Sequence, residues 1–194
     1  NKMKKLIILI GASLLFFYCS QPSEISKDFN CKTLSYKNLE EVIDIKKLFS
    51  IQIPRTWKTN LFYDNIQSSI YTADTTKQLT ETLLLDITII NKNIKFDIPF
   101  KLKTEQENLT KNLIKVKSKE TSIINKPVYY SISKGKKGIY NYQVCHFFIK
   151  VNEQNFILAK AEVYGDSLVK KRFCKAFDLI EKIKINDREK THYK

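Results

Sequence analysis

The fold is decided by the stretch FSIQIPRTW at residues 49–57. Its apolar residues recur at every second position from Phe49 to Ile53, and Pro54 ends the run. Side chains of a β-strand point alternately to the two faces of a sheet, so this period predicts a strand with one buried face. Trp57 follows after a predicted turn, and the patterned part of the chain therefore begins as β-structure.

The order of elements after this strand is strands, helix, strands, helix. A helix is predicted at 99–115, because Asp97-Ile98-Pro99 has the features of a helix start and apolar residues follow at helical spacing. A second helix, capped by residues 165–167, is predicted to present an apolar face from Leu168 to Ile183. The remaining strands are predicted at 69–73, 82–90, 121–124, 128–133, 139–151 and 156–164.

This order predicts an α+β domain built on an antiparallel β-sheet. Short turns join the later strands into a meander, and hairpins of this kind pair antiparallel strands. The strand at 82–90 has apolar residues on both faces, which indicates that helices flank the sheet on both sides, as an αβα sandwich. We assign a single domain to residues 41–186 and a charged tail to residues 187–194.

The first 18 residues have the layout of an export signal. Three lysines precede the uncharged run Leu6–Tyr18, and a polar segment follows it. The run is thirteen residues long, whereas a membrane-spanning helix needs about 20 apolar residues, so a signal peptide is favoured over a permanent span.

Cys19 follows this run directly, in the sequence LLFFYC at residues 14–19, and resembles the lipidated cysteine of bacterial lipoproteins. The resemblance implies cleavage before Cys19, acylation of Cys19 and a membrane partner reached through the lipid. Residues 19–40 are then a lipid-anchored tether, and the domain belongs to the cell envelope, facing the periplasm, with the outer membrane favoured over the inner. A cleaved, soluble secreted protein and an uncleaved anchor remain as alternatives.

The charge of the chain is strongly positive, at +14. Apart from Arg55, Arg172 and Arg188, the basic residues are lysines spread along the whole sequence. Arginine is the preferred side chain for phosphates and base edges, so we predict a solvated lysine-rich surface and no nucleic-acid partner.

Three cysteines remain once Cys19 is assigned to the lipid. An exported protein enters an oxidising compartment, where cysteines tend to pair. A bridge between Cys31 and Cys174 is the predicted disulfide, which leaves Cys145 as a small buried apolar residue in a strand.

The stretch at 49–57 also resembles the start of the PsbP-like family, whose members begin with a strand of the form Phe-x-Ile-x-x-Pro-x-x-Trp. The order of elements is similar over residues 49–185. The resemblance implies a PsbP-like fold and a role as an accessory factor, assembly factor or binding partner. The family as a whole has no shared catalytic residues, so none is assigned from it.

The sequence offers little that is typical of catalysis. Cys145 and His146 cannot form a nucleophile pair, because neighbours on a strand point to opposite faces. His146 is interpreted as a half-buried, hydrogen-bonded strand residue. No spacing of cysteines, histidines and acids suggests a metal site, and the few glycines do not form a phosphate-binding loop. We therefore predict no cofactor, no metal and no enzymatic activity.

Aromatic and basic residues of the meander form the candidate binding patch. Cross-strand aromatic pairing is the structural alternative for the tyrosines. The patch that would dock a partner or a glycan comprises Tyr129, Lys136, Lys137, Tyr140 and Tyr142.

The predicted function is that of a noncatalytic envelope lipoprotein that binds or helps to assemble another envelope component. One alternative is a hydrolase of envelope or extracellular polymer that uses acids such as Asp86 or Glu162. Another is the binding of a small apolar ligand between a helix and the sheet.

Overall fold

The computed structural model describes residues 23–32, 34, 36 and 38–186. The predicted signal peptide at 1–18, the predicted lipidation site Cys19 and the charged tail at 187–194 lie outside the described residues.

Within the described residues, two antiparallel sheets are accompanied by helices on both sides. The helices are α1 (Glu24–Asp28), α2 (Ile98–Leu109) and α3 (Val169–Ile180). The strands are β1 (Leu39–Ile43), β2 (Phe49–Pro54), β3 (Lys58–Tyr63), β4 (Gln67–Ala73), β5 (Leu84–Ile90), β6 (Leu113–Ile123), β7 (Lys126–Lys137), β8 (Tyr140–Lys150), β9 (Phe156–Tyr164) and β10 (Lys184–Ile185). The small sheet has the strand order β1-β2-β10, and the large sheet has the order β3-β4-β5-β9-β8-β7-β6.

The stretch at 49–57 forms the central strand of the small sheet. Phe49, Ile51 and Ile53 are fully buried, as their period predicts, and Trp57 is buried after the turn. Ser50, on the other face, is also buried, and it donates a hydrogen bond to Glu41 at 2.9 Å. Both edges of β2 are paired, by β1 and β10, which places the strand inside the domain.

Helix α3 covers one face of the large sheet and forms the main core with it. The ring of Phe177 packs edge-on against Phe147 of β8 at 5.5 Å and stacks on Phe173 at 6.0 Å. The helix begins later than predicted, at Val169, and Leu168 at its N-cap has a φ of 48° with no side-chain cap. Arg172 holds the first turn of α3 to the neighbouring chain segments in place of a side-chain cap. Its guanidinium donates to the carbonyls of Thr82, Tyr164 and Gly165.

Helix α2 is shorter than predicted, since it ends at Leu109 and not at residue 115. Asn112 has a φ of 56° and turns the chain, and residues from Leu113 onward pair with β7 as strand β6. The prediction was too long because the spacing of Leu113 and Val116 happens to fit a helix. Pairing along most of an eleven-residue strand outweighs a weak amphipathic pattern, because that pairing satisfies the backbone hydrogen bonds of both strands.

Helix α2 covers one end of the opposite face of the large sheet. Phe100 packs edge-on against Phe148 at 5.0 Å and against Tyr129 at 5.8 Å. Both faces of the sheet therefore carry a helix, and the predicted α+β sandwich is confirmed. The part of this face that α2 leaves uncovered is called the open face below.

The segment predicted as a tether is packed on the domain where the structure describes it. Ile25 of α1 is buried in the core, and Phe29 packs edge-on against Phe177 at 5.0 Å. Cys31 and Cys174 form a disulfide with Cα atoms 5.4 Å apart, and Cys145 is a free, buried cysteine. Residues 23–32 are thus part of the folded unit, because their apolar side chains are buried there; no described helix is long and apolar enough to cross a membrane.

Candidate functional site

The open face collects polar side chains from adjacent strands at matching positions. Antiparallel pairing sets Asp86 of β5 opposite Lys160 of β9, and Lys160 opposite His146 of β8. Glu162 lies two positions further along β9, on the same face as Lys160. The carboxylates, the lysine and the histidine are therefore brought together by strand register and not by proximity in sequence.

Glu162 is the centre of the site, and we call its contacts the Glu162 network. Its side chain is only 7% exposed. Oε1 accepts from Lys160 Nζ at 2.9 Å, and Oε2 accepts from the hydroxyl of Tyr142 at 2.8 Å and from Lys137 Nζ at 3.1 Å. Tyr164 adds a fourth, longer hydrogen bond to Oε2 at 3.4 Å. The carboxylate is therefore saturated by donors.

The network keeps Glu162 ionised at all ordinary pH values. Burial opposes ionisation of this carboxyl, but the hydrogen bond and charge of Lys160, with the bonds from Tyr142 and Lys137, outweigh it and lower its pKa to about 2. Burial, together with the negative charge of Glu162, raises the pKa of Tyr142, so the phenol stays protonated and continues to donate.

A second carboxylate, Asp86, joins the network through Lys160. Lys160 Nζ lies 3.2 Å from Asp86 Oδ2, and the hydroxyl of Thr88 donates to Asp86 Oδ1 at 3.0 Å. Ser69 extends the chain, with its hydroxyl 2.8 Å from that of Thr88. The two acids named in the hydrolase alternative thus converge, although a lysine ammonium group lies between them.

This arrangement suits recognition better than proton transfer. A general acid or base needs a pKa near the working pH, whereas Glu162 has a pKa of about 2, and its Oε2 atom already accepts from three donors. Lysine ammonium groups and tyrosine hydroxyls in fixed positions bind anionic or hydroxylated ligands.

A pocket of about 330 Å³ lies beside the Glu162 network. Lysines form much of its wall, and His146 lies in it with its Nδ1 atom buried and without a hydrogen-bond partner. His146 was predicted to be a half-buried, hydrogen-bonded strand residue; it is half-buried, and its Nδ1 atom forms no hydrogen bond among the described residues. Burial, then the positive charges of Lys160 and Lys111, lower the pKa of His146 to about 4, and the ring is neutral at pH 7.

The structure divides the predicted binding patch. Lys137 lies over the rings of Tyr142 and Tyr164, at 5.0 and 5.3 Å from their centroids, and Tyr140 packs edge-on against Tyr164 at 6.2 Å. Lys136 is exposed at the rim of the pocket. Tyr129 is buried beneath α2 in an aromatic cluster with Phe100 and Phe148, so it does not belong to the surface patch.

Sequence reasoning missed Lys160, Tyr164 and Lys111. A signal for Lys160 was available, since Lys160 and Glu162 are charged residues at alternate positions of an otherwise apolar strand. Lys111 gave no signal, because it enters the pocket only as a result of the turn between α2 and β6. No group of three or more His, Cys, Asp or Glu side chains among the described residues is arranged to hold a metal ion.

Comparisons with known proteins identify the fold. No protein-family model matches the chain, and no curated protein sequence matches it. Among solved structures, the cyanobacterial PsbP protein CyanoP from Synechocystis sp. PCC 6803 is similar with a TM-score of 0.51 and 9% identity, over 80% of this chain and 97% of that one. A mutant of Protein Mog1 is similar with a TM-score of 0.51 and 11% identity, over 78% and 98% of the two chains.

A crystal structure from Bacteroides thetaiotaomicron VPI-5482 is also similar, with a TM-score of 0.51 and 14% identity over 78% of this chain. The match covers 50% of that protein, so the chain spans about half of its length. These likenesses show a PsbP-like fold, also shared with Mog1, and the predicted fold class is confirmed. At such low identity a shared fold does not transfer a function.

Proposed function

We propose that this protein is a noncatalytic accessory protein of the cell envelope, which binds or helps to assemble another envelope component through the open face. The observation that carries the proposal is the state of Glu162: it is ionised, saturated by donors and held in place by four side chains. A rigid polar surface of this kind is suited to binding.

The proposed location is supported by two independent features. The N-terminal sequence is typical of a lipoprotein signal, with Cys19 as the proposed acylated residue. The disulfide between Cys31 and Cys174 is the kind of bond that persists outside the cytoplasm. A periplasm-facing, lipid-anchored domain agrees with both features.

Crosslinking in intact cells, followed by purification of the tagged protein, tests the proposal. We expect Tyr140→Ala and Lys136→Glu to reduce the recovery of a specific envelope component, because both residues lie at the rim of the open face. Tyr63→Ala and Lys27→Glu are matched controls, since these side chains are exposed away from the network. Equal recovery with all four variants would contradict the use of this face.

The hydrolase alternative has one observation in its favour, which is that Asp86 and Glu162 both contact Lys160. Incubation of purified protein with isolated envelope polymer tests it directly. Release of soluble fragments by the wild type, and not by Glu162→Gln, would favour the hydrolase over our proposal.

The apolar-ligand alternative loses support from the packing between α3 and the sheet. Phe147, Phe173 and Phe177 fill this space and are all buried. Their rings provide a filled core where a ligand would have to enter.

A further inference from the structure

The pocket beside the Glu162 network has an unusual lining, and we call it the lysine pocket. Four of its lining residues are lysines from three parts of the fold, namely Lys111 after α2, Lys136 and Lys137 at the end of β7, and Lys160 on β9. Among the residues that the structure describes, the only carboxylate in the wall is that of Glu162.

The positive charge of the lysine pocket is not neutralised by its neighbours. Lys137 and Lys160 share the carboxylate of Glu162, and Lys160 also pairs with Asp86. Among the described residues, neither Lys111 nor Lys136 forms an ion pair with a carboxylate. Lys111 and Lys136 therefore add two unneutralised positive charges at the edge of a concave site, where low-dielectric walls concentrate the field of the charges.

His146 supplies a second, independent observation. Its ring lines the lysine pocket, and its buried Nδ1 atom has no partner among the described residues. Buried polar atoms are almost always hydrogen-bonded, and those that are not call for a specific explanation. Glu162, Asp86, Tyr142 and Thr88 on the same face have partners, whereas the buried hydroxyl of Ser133, also on this face, has none among the described residues.

We propose that the lysine pocket binds a ligand through an oxyanion group, either a phosphate or a carboxylate. The ammonium groups of Lys111 and Lys136 would pair with the anion, and the ring of His146 would supply or accept a further hydrogen bond. A metal cation is disfavoured by the same lysines. The pocket volume of about 330 Å³ suits one such group with a small attached moiety.

This inference deepens the proposed function, because it names the chemical group that the envelope component would present to the open face. The oxyanion inference and the proposed function can fail separately. A protein that binds no oxyanion but still captures its partner through Tyr140 and Lys136 would overturn the oxyanion inference alone.

Histidine NMR on the full chain provides the test. The chain contains two histidines, so the variant His192→Gln leaves His146 as the single ring signal. Sodium phosphate, citrate and sulfate are each titrated at constant ionic strength, which is maintained with sodium chloride. We expect a saturable shift of the His146 ring signals, and comparison of phosphate with citrate shows which oxyanion is preferred.

A pH titration in saturating sulfate gives a second readout. A bound anion offsets the charges of Lys160 and Lys111, so the pKa of His146 is expected to rise when sulfate is bound. Sulfate itself does not titrate in this range. An unchanged His146 titration, with no saturable shift for any of the three anions, would overturn the proposal.

Matched lysine variants separate a specific site from general attraction to a basic protein. Replacement of both Lys111 and Lys136 by Gln removes the two unpaired charges, and we expect affinity to fall by about tenfold or more. Replacement of Lys27 and Lys92 by Gln removes the same net charge from exposed sites outside the pocket and should leave affinity nearly unchanged. An equal loss in both double variants would identify the binding as nonspecific and overturn the inference.

Discussion

Glu162 shows how one residue can organise a polar surface. Its carboxylate accepts hydrogen bonds from two lysines and two tyrosines while the side chain is almost fully buried. Replacement by Gln would leave Tyr142 and Lys137 without their charged acceptor. We expect Glu162→Gln to lower the free energy of unfolding by about 2–3 kcal/mol, as measured by urea denaturation.

The matched control for this substitution is Glu120→Gln. Glu120 also pairs with a lysine, Lys101, but its side chain is 55% exposed. An exposed ion pair contributes at most about 1 kcal/mol, so Glu120→Gln should change the free energy of unfolding only slightly. If Glu162→Gln and Glu120→Gln lowered the free energy of unfolding by similar amounts, the central role given to Glu162 would be contradicted.

His146 and Glu162 predict how stability depends on pH. Both have a lower pKa in the folded protein than in the unfolded chain: about 4 against 6.5 for His146 and about 2 against 4.5 for Glu162. Between these values the unfolded chain binds more protons, so the free energy of unfolding falls as pH is lowered. Each group contributes a slope of at most about 1.4 kcal/mol per pH unit within its own window.

Equilibrium unfolding from pH 7 to pH 3 measures this dependence. We expect His146→Gln to make the free energy of unfolding less dependent on pH between pH 6.5 and 4. The fall below pH 4, which Glu162 contributes, should remain. His192→Gln serves as the control for the loss of a histidine. If the free energy of unfolding of His146→Gln fell above pH 4 as steeply as that of the wild type, His146 would not be the source of this pH dependence.

At the scale of elements, the N-terminal segment is held to α3 by a covalent bond and by apolar contacts. The disulfide joins Cys31 to Cys174 across 143 residues of chain. The loop-entropy estimate for such a length is about 5 kcal/mol. We expect Cys31→Ser to lower the stability of the oxidised protein by several kcal/mol and to make it insensitive to dithiothreitol.

Cys145→Ala is the control for this prediction. Cys145 is buried and has no sulfur partner, so its replacement removes packing alone and should leave the response to dithiothreitol intact. Equal stability of wild type and Cys31→Ser under oxidising conditions would show that the segment is held by its apolar contacts alone.

The contact between β7 and the turn before β6 depends on a glycine. A Cβ atom at Gly135 would lie 2.4 Å from the carbonyl oxygen of Asn112, so the turn that positions Lys111 would have to move. We expect Gly135→Ala to cost about 1–3 kcal/mol in thermal unfolding. Gly138→Ala meets open space but has a φ of +60°, so its cost of roughly 1 kcal/mol comes from backbone strain.

At the scale of the whole molecule, the proposed lipidation site Cys19 and the folded unit lie close together in sequence. Residues 20–22 separate Cys19 from Ser23, which caps the N-terminus of α1. If Cys19 is acylated, the domain lies near the membrane. We expect palmitate labelling of the wild type and of Cys145→Ala, and none of Cys19→Ala, with Cys19→Ala released from the membrane fraction. Unlabelled wild type would contradict the anchor.

The fold was predictable because its main signals are local. Alternation in Phe49–Ile53 and in the meander strands identifies β-structure, and the apolar face of residues 168–183 identifies the last helix. The end of α2 was not predictable, since the spacing of Leu113 and Val116 fits a helix and only pairing with β7 selects the strand.

The sequence by itself determined the α+β class and the order of elements, because periodicity and turn residues act over a few positions of the chain. It also placed Glu162, Tyr142 and Lys137 among the residues worth testing. Only the tertiary structure decided that these three meet Lys160, that Tyr129 is buried beneath α2 and that Lys111 and His146 line one pocket. Strand register and the turn after α2 bring such distant residues together, and both are set by pairing between elements and not by the residues themselves.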